Sequence, residues 1–257
     1  MIHDTKQTVI EICCGSYHDA LEAYRGGANR IELNSALVVG GLTPTTATLK
    51  LIKSEIPRLK VICMVRPRGA GFCYTQEEFQ VMKEECRELL EAGADGIAFG
   101  CLKEDATLDN EKNMYLLSLI KSYNKEAVFH RAFDCVSNPF EVMEELIALG
   151  IDRVLTSGLR AKAMDGIDTI RQLQERYGNQ IEILAGSGMN ASNAKKMMEE
   201  TGIHQIHSSC KDWMLDPTTK GKDVSYSIAT GDKECMYDVV SARLVEELMA
   251  SVSCRVD

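Results

Sequence analysis

The feature that most constrains this chain is a regular alternation of short apolar segments with helical patterns along its whole length. Eight segments are predicted strands, because they are short and rich in β-branched residues. They are residues 9–14, 29–34, 60–67, 96–101, 127–134, 153–158, 181–186 and 205–210. A helical pattern follows each of them, and such alternation is typical of a parallel sheet covered by helices.

A weak internal repeat indicates how this sheet closes. A glycine that can end a helix comes before every second strand. The four segments are G-A-N-R-I (27–31), G-A-D-G-I (93–97), G-I-D-R-V (150–154) and G-I-H-Q-I (202–206). Four such units predict an α/β fold of the (β/α)8 TIM-barrel type, with a parallel eight-stranded sheet. The alternative is an open doubly wound sheet, which usually has a G-x-G-x-x-G turn after its first strand, and C-C-G-S-Y (13–17) matches that turn poorly.

We expect a single domain over residues 1–257, because no linker interrupts the pattern. One long irregular stretch, residues 211–235, separates the eighth strand from a final predicted helix at 237–251. We interpret this stretch as a loop over one end of the barrel.

Charge and composition narrow the range of partners. The net charge of -9 and the isoelectric point near 5.2 argue against nucleic acid, whose binding needs a basic surface. No apolar run approaches the roughly 18 residues of a membrane span, and the start M-I-H-D-T-K-Q-T lacks the regions of a signal peptide. We expect a cytoplasmic protein with no membrane partner, and no motif indicates an organic cofactor.

Polar residues gather at the C-terminal ends of the predicted strands, where TIM barrels carry their active sites. Because side chains alternate along a strand, certain pairs share a face. They are Glu11 with Cys13, Glu32 with Asn34, Arg66 with Arg68, and His130 with Asp134. If these faces point inward, they form a ring of acids and bases. Buried charges must pair with each other or with a ligand, so the ring fits either a functional site or a structural layer of salt bridges.

Under the functional interpretation, the candidate catalytic residues are Glu11, Glu32, His130 and Asp134. His130 and Glu32 would transfer protons, since the ordinary pKa of histidine lies near neutrality. Asp134 would orient His130. Arg131 is predicted on the opposite face of the strand, outside the pore.

Two features favour an anionic ligand. Arginine side chains match carboxylate and phosphate, and A-G-S-G-M-N (185–190) with H-S-S (207–209) follows strands seven and eight, where these barrels often bind phosphate beside a helix N-terminus. The candidate substrate-binding residues are Arg66, Arg68, Ser157, Gly186, Gly188, His207 and Ser208. The alternative for the two glycines is a tight turn without a ligand.

The chain has ten cysteines, and they follow neither a zinc nor a small disulfide-scaffold pattern. For most of them we expect a place in the core. Neighbouring thiolates can hold Cu(I), and Cys13 with Cys14 are the candidate metal ligands. Adjacent residues of a strand point to opposite faces, however, so a second sulfur would have to come from elsewhere.

In their order along the chain, the motifs resemble those of the CutC family of copper homeostasis proteins. The motifs are E-I-C-C (11–14), G-G-L-T-P (40–44), R-P-R-G-x-G-F-C-Y (66–74), H-R-A-F-D (130–134), R-V-L-T-S-G (153–158), A-G-S-G (185–188) and I-H-S-S (206–209). The resemblance runs from Thr8 to Trp213. It implies a cytoplasmic (β/α)8 barrel, commonly a homo-oligomer, that binds Cu(I) through cysteine.

The chain departs from the family pattern at one position. In members with a proposed thiol pair, one sulfur corresponds to Cys13 and the other to Asn34, because E-L-N stands where they have E-L-C. Cu(I) is then held differently, with Cys14, Cys63 or Cys101, or copper binding is not the activity. Two hypotheses remain: Cu(I) binding and trafficking, and an enzyme acting on a small anionic metabolite, phosphorylated or not.

Overall fold

The structure is a computed structural model that describes residues 7–253, and its centre is a closed barrel of eight parallel strands. The strands follow each other around the barrel in chain order, and β1 closes it by pairing with β8. Their bounds are β1 Val9–Cys14, β2 Arg30–Leu33, β3 Lys60–Met64, β4 Gly96–Phe99, β5 Glu126–Phe129, β6 Arg153–Thr156, β7 Glu182–Ala185 and β8 Gln205–Ser208. The prediction of a (β/α)8 barrel is confirmed.

Helices connect the strands and cover the barrel. They are α1 Tyr17–Arg25, α2 Thr46–Glu55, α3 Gln76–Glu91, α4 Asn110–Ser122, α5 Pro139–Leu149, α6 Ile167–Tyr177, α7 Ala194–Thr201 and α8 Ala242–Ser253. Ser16 caps α1 by accepting from the Asp19 N–H, and Thr75 with Glu78 forms the predicted capping box of α3. In the part of the chain that the structure describes, no helix is both long and apolar enough to cross a membrane.

Two predicted segments were wrong. The fifth strand ends at Phe129, and a 3₁₀ helix follows at Arg131–Cys135, because His130 accepts from the Ala132 N–H and turns the chain. The stretch after the eighth strand is not only a loop: β9 Lys211–Leu215 pairs antiparallel with β10 Met236–Val240, and α8 begins only after this ribbon. The cross-strand pairs include Tyr237 with Met214, and Lys211 forms an ion pair with Asp238 at 2.8 Å.

The interior of the barrel is divided into an apolar and a charged side. Ile62, Met64, Ala98 and Val128, from β3 to β5, form a small apolar cluster of their own. The inward positions of β1, β2, β6 and β8 carry polar side chains that are nearly all buried. They are Glu11, Arg30, Glu32, Arg153, Gln205 and His207. Inside the barrel, the charged side chains therefore lie on the side formed by β1, β2, β6 and β8.

Candidate functional site at the barrel mouth

A cavity of about 280 Å³ opens at the C-terminal ends of the strands. Many of the predicted site residues line it: Cys13, Glu32, Arg66, His130, Gly188, His207 and Ser208. Ser187 and Ser209, from the two segments predicted to bind an anion, also line it, as do residues to which the sequence patterns assigned no site role: Leu37, Met64, Phe72, Leu155 and Lys211. Asn34 and Arg131 complete the polar part of the lining.

Three neighbouring strands bring Cys13, Glu32 and His207 together. Cys13 of β1 is in register with Glu32 of β2, and His207 of β8 lies on the other side of β1. One ligand atom of each residue, a sulfur, a carboxylate oxygen and an imidazole nitrogen, lies within 4.8 Å of the other two. We call these three residues the Cys13 group. Their donor atoms have the spacing and the chemistry of a metal site.

Asn34 completes this side of the cavity. Its Nδ2 donates to Glu32 Oε2 at 2.9 Å and lies 3.6 Å from Cys13 Sγ. The carboxamide therefore holds the Glu32 carboxylate toward the cysteine, at the position where the resembling family members have a second thiol.

A layer of buried ion pairs lies deeper in the barrel than the Cys13 group and contacts it through His207. Glu11 forms an ion pair with Arg30 at 2.7 Å, contacts His207 Nδ1 at 2.9 Å and lies 3.9 Å from Arg153. Arg153 also pairs with Glu126 at 2.9 Å. Glu11 does not line the cavity, so the structure places this candidate catalytic residue as a support for His207.

Burial and charge shift the pKa values of these groups in different directions. Burial would raise the pKa of Glu11, but the charge of Arg30 and the hydrogen bond to His207 outweigh it and lower the pKa to about 2. Burial opposes the charged form of His207, yet hydrogen bonds to Cys13 and Glu11 hold its pKa well above the usual value. Burial raises the pKa of the Cys13 thiol and of the Glu32 carboxyl.

The opposite wall of the cavity is built around Arg66. Its guanidinium donates to the carbonyls of Val39 (3.2 Å), Gly41 (3.0 Å) and Ala70 (2.5 Å), and thereby joins the loops after β2 and β3. It also lies 5.1 Å from the centre of the Phe72 ring. The arginine is thus fixed in place at the cavity by main-chain oxygens.

His130 lies beside this arginine, and its hydrogen bond and its burial determine which ring nitrogen carries the proton. Its Nδ1 accepts from the Ala132 N–H at 3.2 Å, and burial together with the charge of Arg66 lowers its pKa to about 3. The imidazole is therefore neutral near pH 7, with its proton on Nε2, and it can donate a hydrogen bond. Nε2 has no hydrogen-bond partner among residues 7–253.

The predicted contact between Asp134 and His130 is not formed, because the chain turns after Phe129 instead of continuing as a strand. Asp134 accepts from Thr156 Oγ1 at 2.6 Å and from the Ser157 N–H at 2.9 Å. It also pairs with Arg131 at 2.7 Å. The prediction that Arg131 lies outside the pore was wrong, since this side chain lines the cavity.

Other predicted site residues lie away from the cavity. Arg68 pairs with Glu78 and donates to the Cys73 carbonyl, so the structure does not bring it to Arg66. Ser157 bonds to Asp134, and Gly186 lies below the rim against Leu155 and His207. Cys14 is fully buried on the outer face of β1, where its thiol faces the Ile12 carbonyl.

The turn after β7 differs from the prediction. Ser187 and Gly188 have φ angles of 79° and 78°, which is the left-handed conformation, and Ser208 Oγ donates to the Met189 carbonyl at 2.7 Å. The helix α7 begins only at Ala194, because Asn190 caps a turn through Ser192 instead of a helix. The N-terminus of α7 therefore lies at Ala194 and not directly after Gly188, as predicted.

A closed (β/α)8 barrel with a polar cavity at the C-terminal ends of its strands defines the chain as a TIM-barrel protein. Among solved structures it resembles 3-hexulose-6-phosphate synthase from Salmonella typhimurium, with a TM-score of 0.59 at 13% identity over 95% of this chain and 98% of that one. Phosphoribosyl anthranilate isomerase from Thermococcus kodakaraensis gives a TM-score of 0.53 at 14% identity over 96% and 99%. At such identities the likeness shows the fold alone.

Within this class the chain belongs to the CutC family, whose profile matches residues 8–212. A CutC family protein of Treponema denticola is 45% identical over 86% of this chain and 89% of its own length. The human copper homeostasis protein cutC homolog is 38% identical over 79% and 73%. The crystal structure of CutC from Streptococcus agalactiae gives a TM-score of 0.75 at 30% identity over 79% and 99%. The family expected from the motifs is confirmed.

Proposed function

We propose that this CutC family member binds Cu(I) in the cytoplasm, with Cys13 and His207 as its ligands at the barrel mouth. The observation that carries the proposal is the spacing of the Cys13 group, whose donor atoms lie within 4.8 Å of one another. Cu(I) prefers soft thiolate sulfur and also accepts imidazole nitrogen. Glu32 adds a negative charge beside the ion.

The rest of the cavity supports a site with a single thiolate. Cys63 and Cys101 are fully buried in the core between barrel and helices, as is Cys14, so none of them reaches the cavity. Met64 does line the cavity, and its thioether is a further soft donor. The names of the curated relatives, which include copper homeostasis proteins, point in the same direction.

Titration of the anaerobic protein with Cu(I) against a chromophoric competing chelator tests this function. We expect one tightly bound Cu(I) per chain, because the cavity offers one group of donors. The exposed thiols Cys73 and Cys135 can bind copper weakly, so the protein is titrated with the chelator in excess. Failure of the protein to remove any Cu(I) from the chelator contradicts the proposal.

The affinity for Cu(I) is expected to rise with pH. Both the Cys13 thiol and His207 have raised pKa values, so each holds a proton near neutral pH that the metal must displace. Release of two protons increases the affinity by up to about 100-fold per pH unit. Chelator competition between about pH 6 and 8, corrected for protonation of the chelator, measures the slope. A flat profile contradicts displacement of these protons.

Replacement of Asn34 by Cys is expected to strengthen Cu(I) binding. Asn34 Nδ2 lies 3.6 Å from Cys13 Sγ, so a thiol at this position supplies a second sulfur beside the first. We expect a gain of about 10- to 100-fold in affinity, which corresponds to about 1.4 to 2.8 kcal/mol. The matched control is Asn34→Ser, which also loses the carboxamide but adds no sulfur. Equal affinities of the two variants contradict the prediction.

A further inference from the structure

The wall of the cavity opposite the Cys13 group contains a buried positive charge without a carboxylate partner. Arg66 is only 6% exposed, and its bonded partners are main-chain carbonyls. Within residues 7–253 no Asp or Glu lies at ion-pair distance from its guanidinium. A buried charge is costly unless another charge balances it, and here a bound anion can do so.

His130 adds a hydrogen-bond donor next to this charge. The side chain is 2% exposed and lines the cavity, and its Nε2–H has no acceptor in the described part of the chain. The Phe72 ring lies 4.9 Å from the His130 ring and 5.1 Å from the Arg66 guanidinium carbon. Phe72 thus packs against both side chains and helps to hold the donor and the charge in place. Nε2 is itself buried, and because buried polar groups normally have partners, this unpaired N–H is a second sign of a ligand.

The rim of the cavity carries two further cations, each paired with a carboxylate: Arg131 with Asp134 at 2.7 Å and Lys211 with Asp238 at 2.8 Å. Arg131 and Lys211 also line the cavity, whereas Glu32 is its one acidic side chain among the described lining residues. Asp134 and Ser157 hold Arg131 at its Nε and Nη2 atoms, with distances of 2.7 and 2.9 Å, and leave Nη1 for a ligand. Asp134 and Asp238 offset the charges of Arg131 and Lys211, so among residues 7–253 Arg66 is the lining arginine without a carboxylate partner.

We propose that this side of the cavity binds a small organic anion, a carboxylate or a phosphate ester, through Arg66, Arg131 and the Nε2–H of His130. Guanidinium groups suit both kinds of anion because their donors match pairs of oxygens. The cavity of about 280 Å³ has the size for a small metabolite, with Met64 and Leu155 as apolar contacts for its carbon atoms. The anion site uses none of the atoms of the Cys13 group and requires no copper.

The test is a thermal-shift titration of the metal-free wild-type chain, followed by calorimetry. The probes are inorganic phosphate, glycerol 3-phosphate, malonate and lactate, each up to about 10 mM at constant ionic strength with chloride. We expect at least one probe to raise the melting temperature in a saturable way. Saturation by the phosphates alone identifies a phosphate ester as the ligand class, and saturation by malonate or lactate alone identifies a carboxylate.

Three variants test whether the binding occurs at the proposed residues. Arg131→Gln and His130→Phe are each expected to weaken binding of the active probe by roughly tenfold or more, because each removes one donor. Arg131 is the more exposed of the two, so its variant keeps the test valid if His130→Phe fails to fold. Arg87→Gln makes the same charge change at an exposed position of α3 outside the cavity, and it should bind like the wild type.

Three results overturn the proposal: no probe stabilises the protein more than chloride, Arg131→Gln binds as tightly as the wild type, or Arg87→Gln weakens binding as much as Arg131→Gln does. The proposed Cu(I) binding is tested independently of the anion site, because different residues carry the two sites. Cys13→Ser is expected to retain binding of the anion, and Arg131→Gln is expected to retain binding of Cu(I). Loss of the anion in Cys13→Ser would also contradict an independent anion site.

Discussion

Replacement of Cys13 by Ser is expected to weaken Cu(I) binding by at least about 100-fold, because within residues 7–253 Cys13 is the one cysteine that lines the cavity. Changes in residues that only support a metal ligand commonly cost about 10- to 100-fold, so loss of the ligand itself should cost more. The hydroxyl has nearly the shape of the thiol and leaves Glu32 and His207 in place. Chelator competition under anaerobic conditions measures the effect.

Two control variants make this result specific for Cys13. Cys135→Ser removes an exposed thiol from outside the cavity, and Cys14→Ala removes the neighbouring thiol that faces the core. Both are expected to bind Cu(I) like the wild type. If Cys13→Ser retains full affinity, or if Cys135→Ser loses as much, the copper is bound elsewhere and the Cys13 group has another role.

The fold could be predicted because its signals are local. The period of the apolar residues, the glycines before every second strand and caps such as Ser16 and Thr75 each depend on a few neighbouring residues. The predicted C-terminal ends of the strands were less accurate. The last residues of several predicted strands belong to the loops at the barrel mouth and not to the sheet. At β5 this difference determines the direction of His130 and of the residues after it.

The site could be predicted in part, for the residues whose position depends on strand alternation alone. Cys13, Glu32 and His207 lie on regular strands, and the register of the barrel brings them together. Phe72 and Arg131 reach the cavity from loops and a 3₁₀ helix, for which the sequence has no period to count. The prediction that Asp134 orients His130 was wrong for the same reason, because Asp134 also lies in this 3₁₀ helix.

The two walls of the cavity have different electrostatic roles, which the sequence did not distinguish. The ring of acids and bases was expected to be either a functional site or a layer of salt bridges, and the structure contains both at different depths. Beneath the cavity Glu11 balances Arg30 and Glu126 balances Arg153, whereas Arg66 lines the cavity and has no carboxylate partner within residues 7–253. The deeper layer fixes the position of His207 and leaves the upper groups available to ligands.

Replacement of Glu11 by Gln is expected to lower the free energy of unfolding by about 3 to 5 kcal/mol near pH 7. Glu11 is 1% exposed and lies between Arg30 and His207, with Arg153 at 3.9 Å, so loss of its charge leaves buried cations without their counter-ion. Urea denaturation of both proteins measures the difference. The control Glu247→Gln breaks an exposed pair with Arg243 and should cost less than about 1 kcal/mol.

The pH dependence of this difference identifies its electrostatic origin. The folded-state pKa of Glu11 is lowered to about 2, so its charge contributes stability above its unfolded-state pKa, and this contribution is lost as pH falls from about 4.5 toward 2. The carboxamide of the variant does not titrate, so the gap between the two proteins should narrow over this acid range. A gap that stays constant indicates that altered packing, and not charge, destabilises the variant. A gap below about 1 kcal/mol at neutral pH indicates that water already screens the layer beneath the cavity.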